Sequence, residues 1–271
     1  MLAKLLKAAY NRQQVIKTLS RYLPDYIQQT ANITGKPMPA HTPVISFASS
    51  KGGAGKSTAT LTLASELVQQ LKKPITIIEC DANEPFVTWA DLKRKPDLIK
   101  IVSDESEDTI LDNIEKAKRD SAVVLIDLEG TKNERVAYAM SESDLVVIPV
   151  QGSFLDAKQA RDTVAHIRRT EKMIKRKIEF GVLYTRVSAR IITKNFASIS
   201  RAISDQQIPV LEAQLVDREA FRTMFYTGRT LHDLPDDVSG LQQAKEDAYQ
   251  FAKAIIDRIN QRHKNRADVA A

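Results

Sequence analysis

Residues 44–58 read VISFASSKGGAGKST, and this stretch decides the fold. A short apolar run leads into a glycine-rich loop, and a pattern of helical length then continues to about Leu71. Gly52 and Gly55 carry no Cβ, so the backbone N–H groups of the loop can approach phosphate oxygens closely. A strand, a loop of the G-x-x-x-x-G-K-[ST] type and a helix, in this order, predict a phosphate-binding site.

The predicted phosphate-binding residues belong to the loop and to the first turn of its helix. Lys56 is expected to reach the β and γ phosphates, and the Ser57 hydroxyl is expected to ligate magnesium. The helix N-terminus adds its partial positive charge. The predicted set is Gly52, Gly53, Ala54, Gly55, Lys56, Ser57 and Thr58.

Short apolar runs alternate with stretches of helical length along the rest of the chain. The runs are rich in Val and Ile, as is typical of strands buried on both faces of a parallel sheet. Helices between such strands form right-handed crossovers. The sequence therefore predicts a doubly wound α/β fold with a mostly parallel sheet flanked by helices. The six predicted strands are 44–48, 75–79, 99–103, 122–127, 145–150 and 180–185.

The composition limits the chemistry that the chain can perform. Its 271 residues are 43% hydrophobic and 27% charged, which fits one α/β domain with an appendage. The single cysteine, Cys80, excludes an internal disulfide and a multi-thiolate metal site. No apolar run has the length of a membrane span and no signal-peptide pattern is present, so we expect a cytoplasmic protein.

Four segments are predicted along the chain. Residues 1–33 form an amphipathic, basic helical extension, because their apolar positions recur every three or four residues. Residues 34–43 are a proline-rich linker, which cannot continue a helix. The α/β domain covers residues 44–262, and residues 263–271 form a polar tail.

A second lysine in the loop narrows the family. Lys51 precedes the double glycine, so residues 51–57 read KGGAGKS. This resembles the deviant Walker A signature K-G-G-x-G-K-[ST] of the ParA/MinD group of P-loop ATPases. The resemblance implies ATP and Mg²⁺ as cofactors, and an ATP-dependent homodimer in which Lys51 reaches the phosphates bound by the other subunit. A mobile lysine charge suits a transferring phosphoryl group, and a merely solvated loop lysine is the alternative.

Asp81 follows the second predicted strand. Residues 77–83, IIECDAN, resemble the family's D-x-D-P-Q segment, with Glu79 in place of the first aspartate and Ala82-Asn83 in place of Pro-Gln. The resemblance gives Asp81 the catalytic role of positioning or activating the attacking water. The carboxyl end of a parallel strand beside a phosphate loop suits that role. Alternatively, Asp81 caps the helix that begins near Glu84.

Four further positions are predicted to belong to the nucleotide site. Asp127 ends an apolar strand as a Walker B aspartate and is expected to hold magnesium together with Ser57. Residues 128–130, LEG, resemble the family's second switch segment, which implies that the backbone of Gly130 approaches the γ phosphate. Residues 145–151 resemble the family's I-P-V-Q segment, which implies that Pro149 and Gln151 lie near the nucleotide base.

Positive charge is concentrated in one segment of a chain whose formal net charge is +6. Residues 158–203 contain twelve Lys or Arg and three acidic residues, whereas residues 81–130 contain seven basic and thirteen acidic residues. Such a segment is either a solvated helical face or a surface for nucleic acid. The resemblance to ParA-type partition ATPases favours DNA. The predicted contacts are Arg186, Arg190, Lys194 and Arg201, of which the last three would share one helical face.

Three functions follow from the resemblance. The first is an ATPase that binds DNA non-specifically and segregates plasmid or mobile-element DNA with a ParB-like partner, on the nucleoid or at a pole. The second is a conjugation-associated ParA relative that recruits a DNA-processing complex. The third, MinD-like positioning on a membrane surface, is disfavoured by the polar tail. The N-terminal helix is compatible with DNA binding, dimerisation, partner binding or membrane contact.

Overall fold

A computed structural model describes residues 41–104, 106–130, 134–152, 154–188 and 194–270. The predicted helical extension, residues 1–33, and linker residues 34–40 lie outside the described residues. Arg190 also lies outside them.

Among the described residues, seven strands form one sheet in the order β3-β2-β4-β1-β5-β6-β7, and every pairing is parallel. The predicted doubly wound α/β fold is therefore confirmed. Strands β2, β3 and β4 lie on one side of β1, and β5, β6 and β7 lie on the other side. In open α/β sheets, ligands bind at the carboxyl ends of the strands at such a switch point. The strands are β1 (Val44–Phe47), β2 (Ile75–Glu79), β3 (Ile99–Ser103), β4 (Val123–Asp127), β5 (Leu145–Val150), β6 (Phe180–Val187) and β7 (Val210–Val216).

Helices cover both faces of the sheet. In the part of the chain that the structure describes, they are α1 (Lys56–Leu71), α2 (Pro85–Asp91), α3 (Ile110–Asp120), α4 (Glu134–Glu142), α5 (Phe154–Ile174), α6 (Lys194–Asp205), α7 (Glu219–Thr227) and α8 (Leu241–Ala270). The apolar sides of α1, α2, α7 and α8 form one core with the sheet. The apolar sides of α3, α4, α5 and α6 form a second core on the opposite face.

The seventh strand, β7, was absent from the sequence prediction. Its residues read VLEAQLV, and exposed and buried positions alternate along much of the strand because β7 pairs only with β6 at the edge of the sheet. The central strands β1, β2, β4 and β5 are instead buried at every position. A search for continuous apolar runs detects the central strands and misses an edge strand of this kind.

The last helix, α8, continues past residue 262, where the α/β domain was predicted to end. Its backbone continues to Ala270, through most of the segment that was expected to be a polar tail. Among the described residues, no helix combines the length and the apolar composition needed to cross a membrane.

Candidate nucleotide-binding site

The glycine-rich loop connects the carboxyl end of β1 to α1 in the predicted order. Gly55 has a φ of 96°, and a Cβ on it would lie 3.2 Å from the Thr185 hydroxyl oxygen, so both its backbone and its surroundings require glycine. Thr185 donates a 2.8 Å hydrogen bond to the Ala54 carbonyl. Since α1 begins at Gly55 without a side-chain cap, the first N–H groups of the helix remain available to an anion.

The two lysines of the loop have different surroundings. Lys56 is buried, with 6% of its surface exposed, at the start of α1. The Lys51 Nζ lies 3.3 Å from the carboxylate of Asp156 on α5, and 37% of the Lys51 side chain is exposed. Lys51 therefore contacts a carboxylate of its own chain, outside the cradle that contains Lys56. Asp156 was absent from the sequence prediction, since nothing in the pattern connects positions so far apart.

Ser50 stands at the position where the general phosphate-loop pattern has its first glycine. Its φ is not positive, so this position accepts a side chain. The Ser50 N–H donates to the Thr163 hydroxyl at 3.3 Å, and the Ser50 hydroxyl donates to the Gln159 carbonyl at 3.3 Å. The residues just before the loop glycines are thus tied to α5.

Asp127 lies at the carboxyl end of β4 and is completely buried. The Ser57 hydroxyl donates a 2.5 Å hydrogen bond to its Oδ2, while its Oδ1 is buried without a hydrogen-bond partner among the described residues. Burial raises the pKa of Asp127 to about 7, although the hydrogen bond from Ser57 and the charge of Lys56 oppose that shift. A hydroxyl and a carboxylate with an unused oxygen fit the oxygen donors that Mg²⁺ prefers.

Glu79, at the end of β2, is buried and caps α2. Its carboxylate accepts hydrogen bonds from the N–H groups of Phe86 at 3.0 Å and Val87 at 3.0 Å. Pro85, the first residue of α2, has no N–H to satisfy, so this carboxylate serves the next two donors of the helix. Burial raises the pKa of Glu79, and the two backbone N–H groups oppose that shift.

Asp81 is free of the capping role that was its alternative. Its carboxylate accepts hydrogen bonds of 2.9 Å from the backbone and the side chain of Asn83, within its own loop. The negative charge of Asp81 contributes to the raised pKa of Asp127, so the two carboxylates lie in one electrostatic site. The structure is therefore compatible with a role for Asp81 near the phosphates, and its catalytic assignment stays a prediction.

Arg135, the second residue of α4, is a buried cation that the sequence did not reveal. Its guanidinium donates to the carbonyl of Cys80 at 2.9 Å and to the carbonyl of Asp104 at 2.6 Å. It thereby ties the helix that follows the second switch segment to the backbone residue that precedes Asp81. Gly130 has a φ of 62°, as a glycine turn permits, and residues 131–133 lie outside the described residues.

Pro149 and Gln151, which were predicted to lie near the nucleotide base, lie in β5 and directly after it. The Gln151 amide donates to the Gly53 carbonyl, which places Gln151 beside the phosphate loop. Pro149 lies in β5 opposite Leu183. The contact of Pro149 and Gln151 with the base stays a prediction.

A 410 Å³ cavity next to the loop is lined by other residues, among them Gly55, Thr58, Thr185, Arg186, Val216 and Phe225. A 350 Å³ cavity is lined by Glu79, Asp81, Asp104 and Arg135, among others.

The predicted DNA contacts are only partly described. Arg186 is exposed, with a φ of 51°, and it lines the 410 Å³ cavity beside the loop. Arg201 is exposed on α6, and Lys194 is the first residue of that helix. Since Arg190 lies outside the described residues, the shared helical face of the three positions stays a prediction.

Comparison with known proteins identifies the family. A family model described as VirC1 protein matches residues 42–257. This chain belongs to the VirC1 family. The VirC1-family chain is also 35% identical over 219 residues to Protein ParA of Rhizobium radiobacter, covering 81% of this chain and 98% of that protein. These matches confirm the predicted ParA/MinD type of P-loop ATPase.

Solved structures agree with the fold of this VirC1-family chain. The ATP complex of a Cyanothece McdA variant superposes with a TM-score of 0.63 at 15% identity, covering 79% of this chain and 96% of that one. The Mg-ADP complex of the septum site-determining protein MinD from Pyrococcus horikoshii gives a TM-score of 0.58 at 16% identity, covering 79% and 95%. At these identities, the likeness establishes the architecture alone.

Proposed function

We propose that this chain is a Mg²⁺-dependent ATPase that dimerises with ATP, binds DNA without sequence preference and positions plasmid or mobile-element DNA with a ParB-like partner. One observation carries the proposal: the two loop lysines are separated, with Lys56 buried at the start of α1 and Lys51 on Asp156. A P-loop enzyme that acts alone needs only Lys56. Lys51 is then available to another subunit.

The proposal assigns each part of the nucleotide to its own residues. The β and γ phosphates face Lys56 and the uncapped N–H groups at the start of α1. Ser57 and Asp127 would hold a magnesium ion, which would supply positive charge to neutralise the phosphate oxygens. In this proposal the base and ribose occupy the 410 Å³ cavity beside Gly55 and Thr58, where Phe225 offers an aromatic surface, and not the surroundings of Pro149 and Gln151 that the resemblance implied. Asp81 orients the attacking water.

Lys51 makes hydrolysis depend on a second subunit. In the isolated chain its ammonium group is neutralised by Asp156 at 3.3 Å. The Lys51 side chain is 37% exposed although that of Asp156 is only 3% exposed, and the γ phosphate of the other subunit's ATP, which carries more negative charge than one carboxylate, competes for the lysine. Each active site then contains Lys56 from one subunit and Lys51 from the other.

DNA binding and cargo choice are supported by the distribution of charge and by one relative. The excess of Lys and Arg in residues 158–203 favours a polyanionic partner, and an ATP-bound dimer doubles that surface. The relative named Protein ParA supports the partition function. Recruitment of a DNA-processing complex would use the same nucleotide cycle, so the identity of the partner protein separates the two functions.

A lysine substitution tests the composite site. Lys51→Ala should still bind ATP within a few-fold of the native affinity, because Lys56 and the backbone cradle remain, yet hydrolysis should fall by about 100-fold or more. ATP-dependent dimerisation should be lost as well. Fluorescent-ATP titration measures binding, phosphate release measures hydrolysis, and sedimentation with ATP and Mg²⁺ measures dimerisation. The exposed Lys116 on α3 supplies the control, and Lys116→Ala should behave as the native protein does.

Two outcomes would contradict parts of the proposal. Native hydrolysis and dimerisation in Lys51→Ala would remove the shared site and leave an ordinary P-loop ATPase. Complete loss of ATP binding in Lys51→Ala would show that Lys51 belongs to the site of its own chain.

A further inference from the structure

We propose that the outer face of α5 binds the phosphate backbone of double-stranded DNA. The inference rests on the proposed function and assigns its DNA contacts to a surface other than the predicted one. The face is a cationic stripe of four exposed side chains, which are Lys158, Arg161, Arg169 and Lys172.

Helical geometry aligns these four cations. At 3.6 residues per turn, they fall within a sector of about 80° of the helix circumference. The stripe extends for about 21 Å along the axis, at 1.5 Å per residue. Ala165 is exposed in the middle of the same face, and its small side chain leaves the surface open to a close approach. One acidic residue, Asp162, lies at the border of the stripe.

The four cations differ from other basic residues near the end of α5. Arg168 and Lys177 form ion pairs with Glu171 at 2.9 Å and 3.5 Å, and the Arg168 guanidinium lies 5.1 Å from the centre of the Phe180 ring. Those two cations have structural partners. Within the described part of the chain, no member of the stripe makes an ion pair. Unneutralised lysines and arginines are those that gain most from displacing counterions of DNA.

Charge density favours α5 over α6. In its twelve residues α6 contains two cations, Lys194 and Arg201, and its described, exposed positions also include Ala197, Ser198, Ser204 and the acidic Asp205. Arg186 lies in the cavity beside the phosphate loop. Phosphates of B-DNA recur along both strands at about one charge per 1.7 Å of axis, so a row of cations about 21 Å long matches several of them at once.

The inner side of the same helix contacts the phosphate loop. Lys51 pairs with Asp156, and Ser50 makes hydrogen bonds to Gln159 and Thr163. The stripe and the loop are thus separated by the width of one helix. Transfer of Lys51 to a second subunit breaks the contact with the first turn of α5, so DNA affinity should depend on ATP.

The test compares two variants of the full chain with equal change in charge. The stripe variant carries Lys158→Gln, Arg161→Gln, Arg169→Gln and Lys172→Gln. The control variant carries Lys73→Gln, Arg94→Gln, Lys116→Gln and Arg119→Gln, four exposed cations outside α5. Fluorescence anisotropy with two duplexes of unrelated sequence, with ATP and Mg²⁺ at several salt concentrations, gives affinity and salt dependence.

We expect the stripe variant to lose about tenfold or more in affinity for both duplexes, and its slope of log K against log salt to fall by about three to four units. The control variant should keep most of its affinity for the duplexes and most of its salt dependence. Hydrolysis without DNA and the melting temperature should stay native in both variants, because none of these residues belongs to the nucleotide site.

Other outcomes overturn the assignment. Equal losses in the two variants would mean that net charge, and not the stripe, determines binding. Native binding in the stripe variant together with loss in Arg201→Gln would transfer the DNA contacts to α6. Loss of binding to vesicles of anionic phospholipid, with DNA binding intact, would make the stripe a membrane surface. A native protein that dimerises and hydrolyses ATP but binds no duplex would refute the DNA proposal while leaving the ATPase proposal standing.

Discussion

The carboxyl ends of β2 and β4 each carry a buried carboxylate, and the two are partners in the sheet register, Glu79 opposite Asp127. Burial raises the pKa of both. Their hydrogen-bond partners differ. Glu79 is satisfied by two backbone N–H groups of α2, whereas Asp127 receives one hydroxyl and keeps one oxygen without a partner among the described residues.

This difference separates Glu79, a carboxylate that stabilises the fold, from Asp127, a carboxylate that is able to bind a metal ion. Neither burial nor a raised pKa distinguishes the two residues, since both share these properties. Both oxygens of Glu79 already accept hydrogen bonds from N–H groups of α2, and loss of the carboxylate would leave the start of α2 unsatisfied. The unused oxygen of Asp127 costs free energy in the absence of a ligand, and a cation relieves that cost.

The largest expected effect is the loss of hydrolysis in Asp127→Asn. The amide keeps an acceptor for Ser57 but removes the charge that attracts magnesium, so hydrolysis should fall by about 1,000-fold or more. Phosphate release during a Mg²⁺ titration measures this. Asp120→Asn, at an exposed position on α3, is the control. Hydrolysis within about tenfold of the native rate would remove Asp127 from the metal site.

Asp81→Ala should have the second largest effect. ATP binding should persist and hydrolysis should fall by about 100-fold, the size expected when a group that orients the attacking water is removed. An ATP-bound dimer should accumulate, which light scattering with ATP and Mg²⁺ detects. Asp91→Ala, at an exposed position of α2, is the control. A variant that stays monomeric and hydrolyses ATP normally would leave β2 with a structural carboxylate only.

Arg135 offers a way to interpret a partial effect at Asp81. Its guanidinium holds the carbonyl of Cys80, the residue before Asp81. A change in this contact would displace Asp81 without altering it.

The sequence predicts the elements of this site better than their contacts. The loop of residues 51–57 follows from local spacing, and the central strands follow from their apolar runs. The resemblance aligned Glu79 with an aspartate of the D-x-D-P-Q pattern, but its capping of α2 depends on where that helix starts. The pair of Lys51 with Asp156 joins positions 105 residues apart, which no local pattern encodes. The edge strand β7 was missed because it is partly exposed.

The smallest expected effects are on stability, and here the two carboxylates should respond in opposite directions. A carboxyl group whose pKa is higher in the folded than in the unfolded protein stabilises the fold at low pH. That contribution is lost as pH rises through the folded pKa. For Asp127 the window runs from its ordinary value of 3.8 to about 7. Without nucleotide and magnesium, the native protein should therefore lose stability across this window, whereas Asp127→Asn should not.

At about pH 8, above the folded pKa of Asp127, Asp127→Asn should melt a few degrees above the native protein, because a neutral amide replaces a buried, incompletely satisfied charge. Glu79→Gln should melt a few degrees below it, because the amide has one acceptor oxygen where the carboxylate serves two N–H groups, and one lost hydrogen bond costs about 1 kcal/mol. Hydrolysis should be nearly native in Glu79→Gln and absent in Asp127→Asn. Thermal unfolding followed by circular dichroism from about pH 4 to about pH 8 gives both curves. If both variants melt below the native protein, Asp127 is a structural carboxylate like Glu79, and the contrast between the two strand ends is wrong.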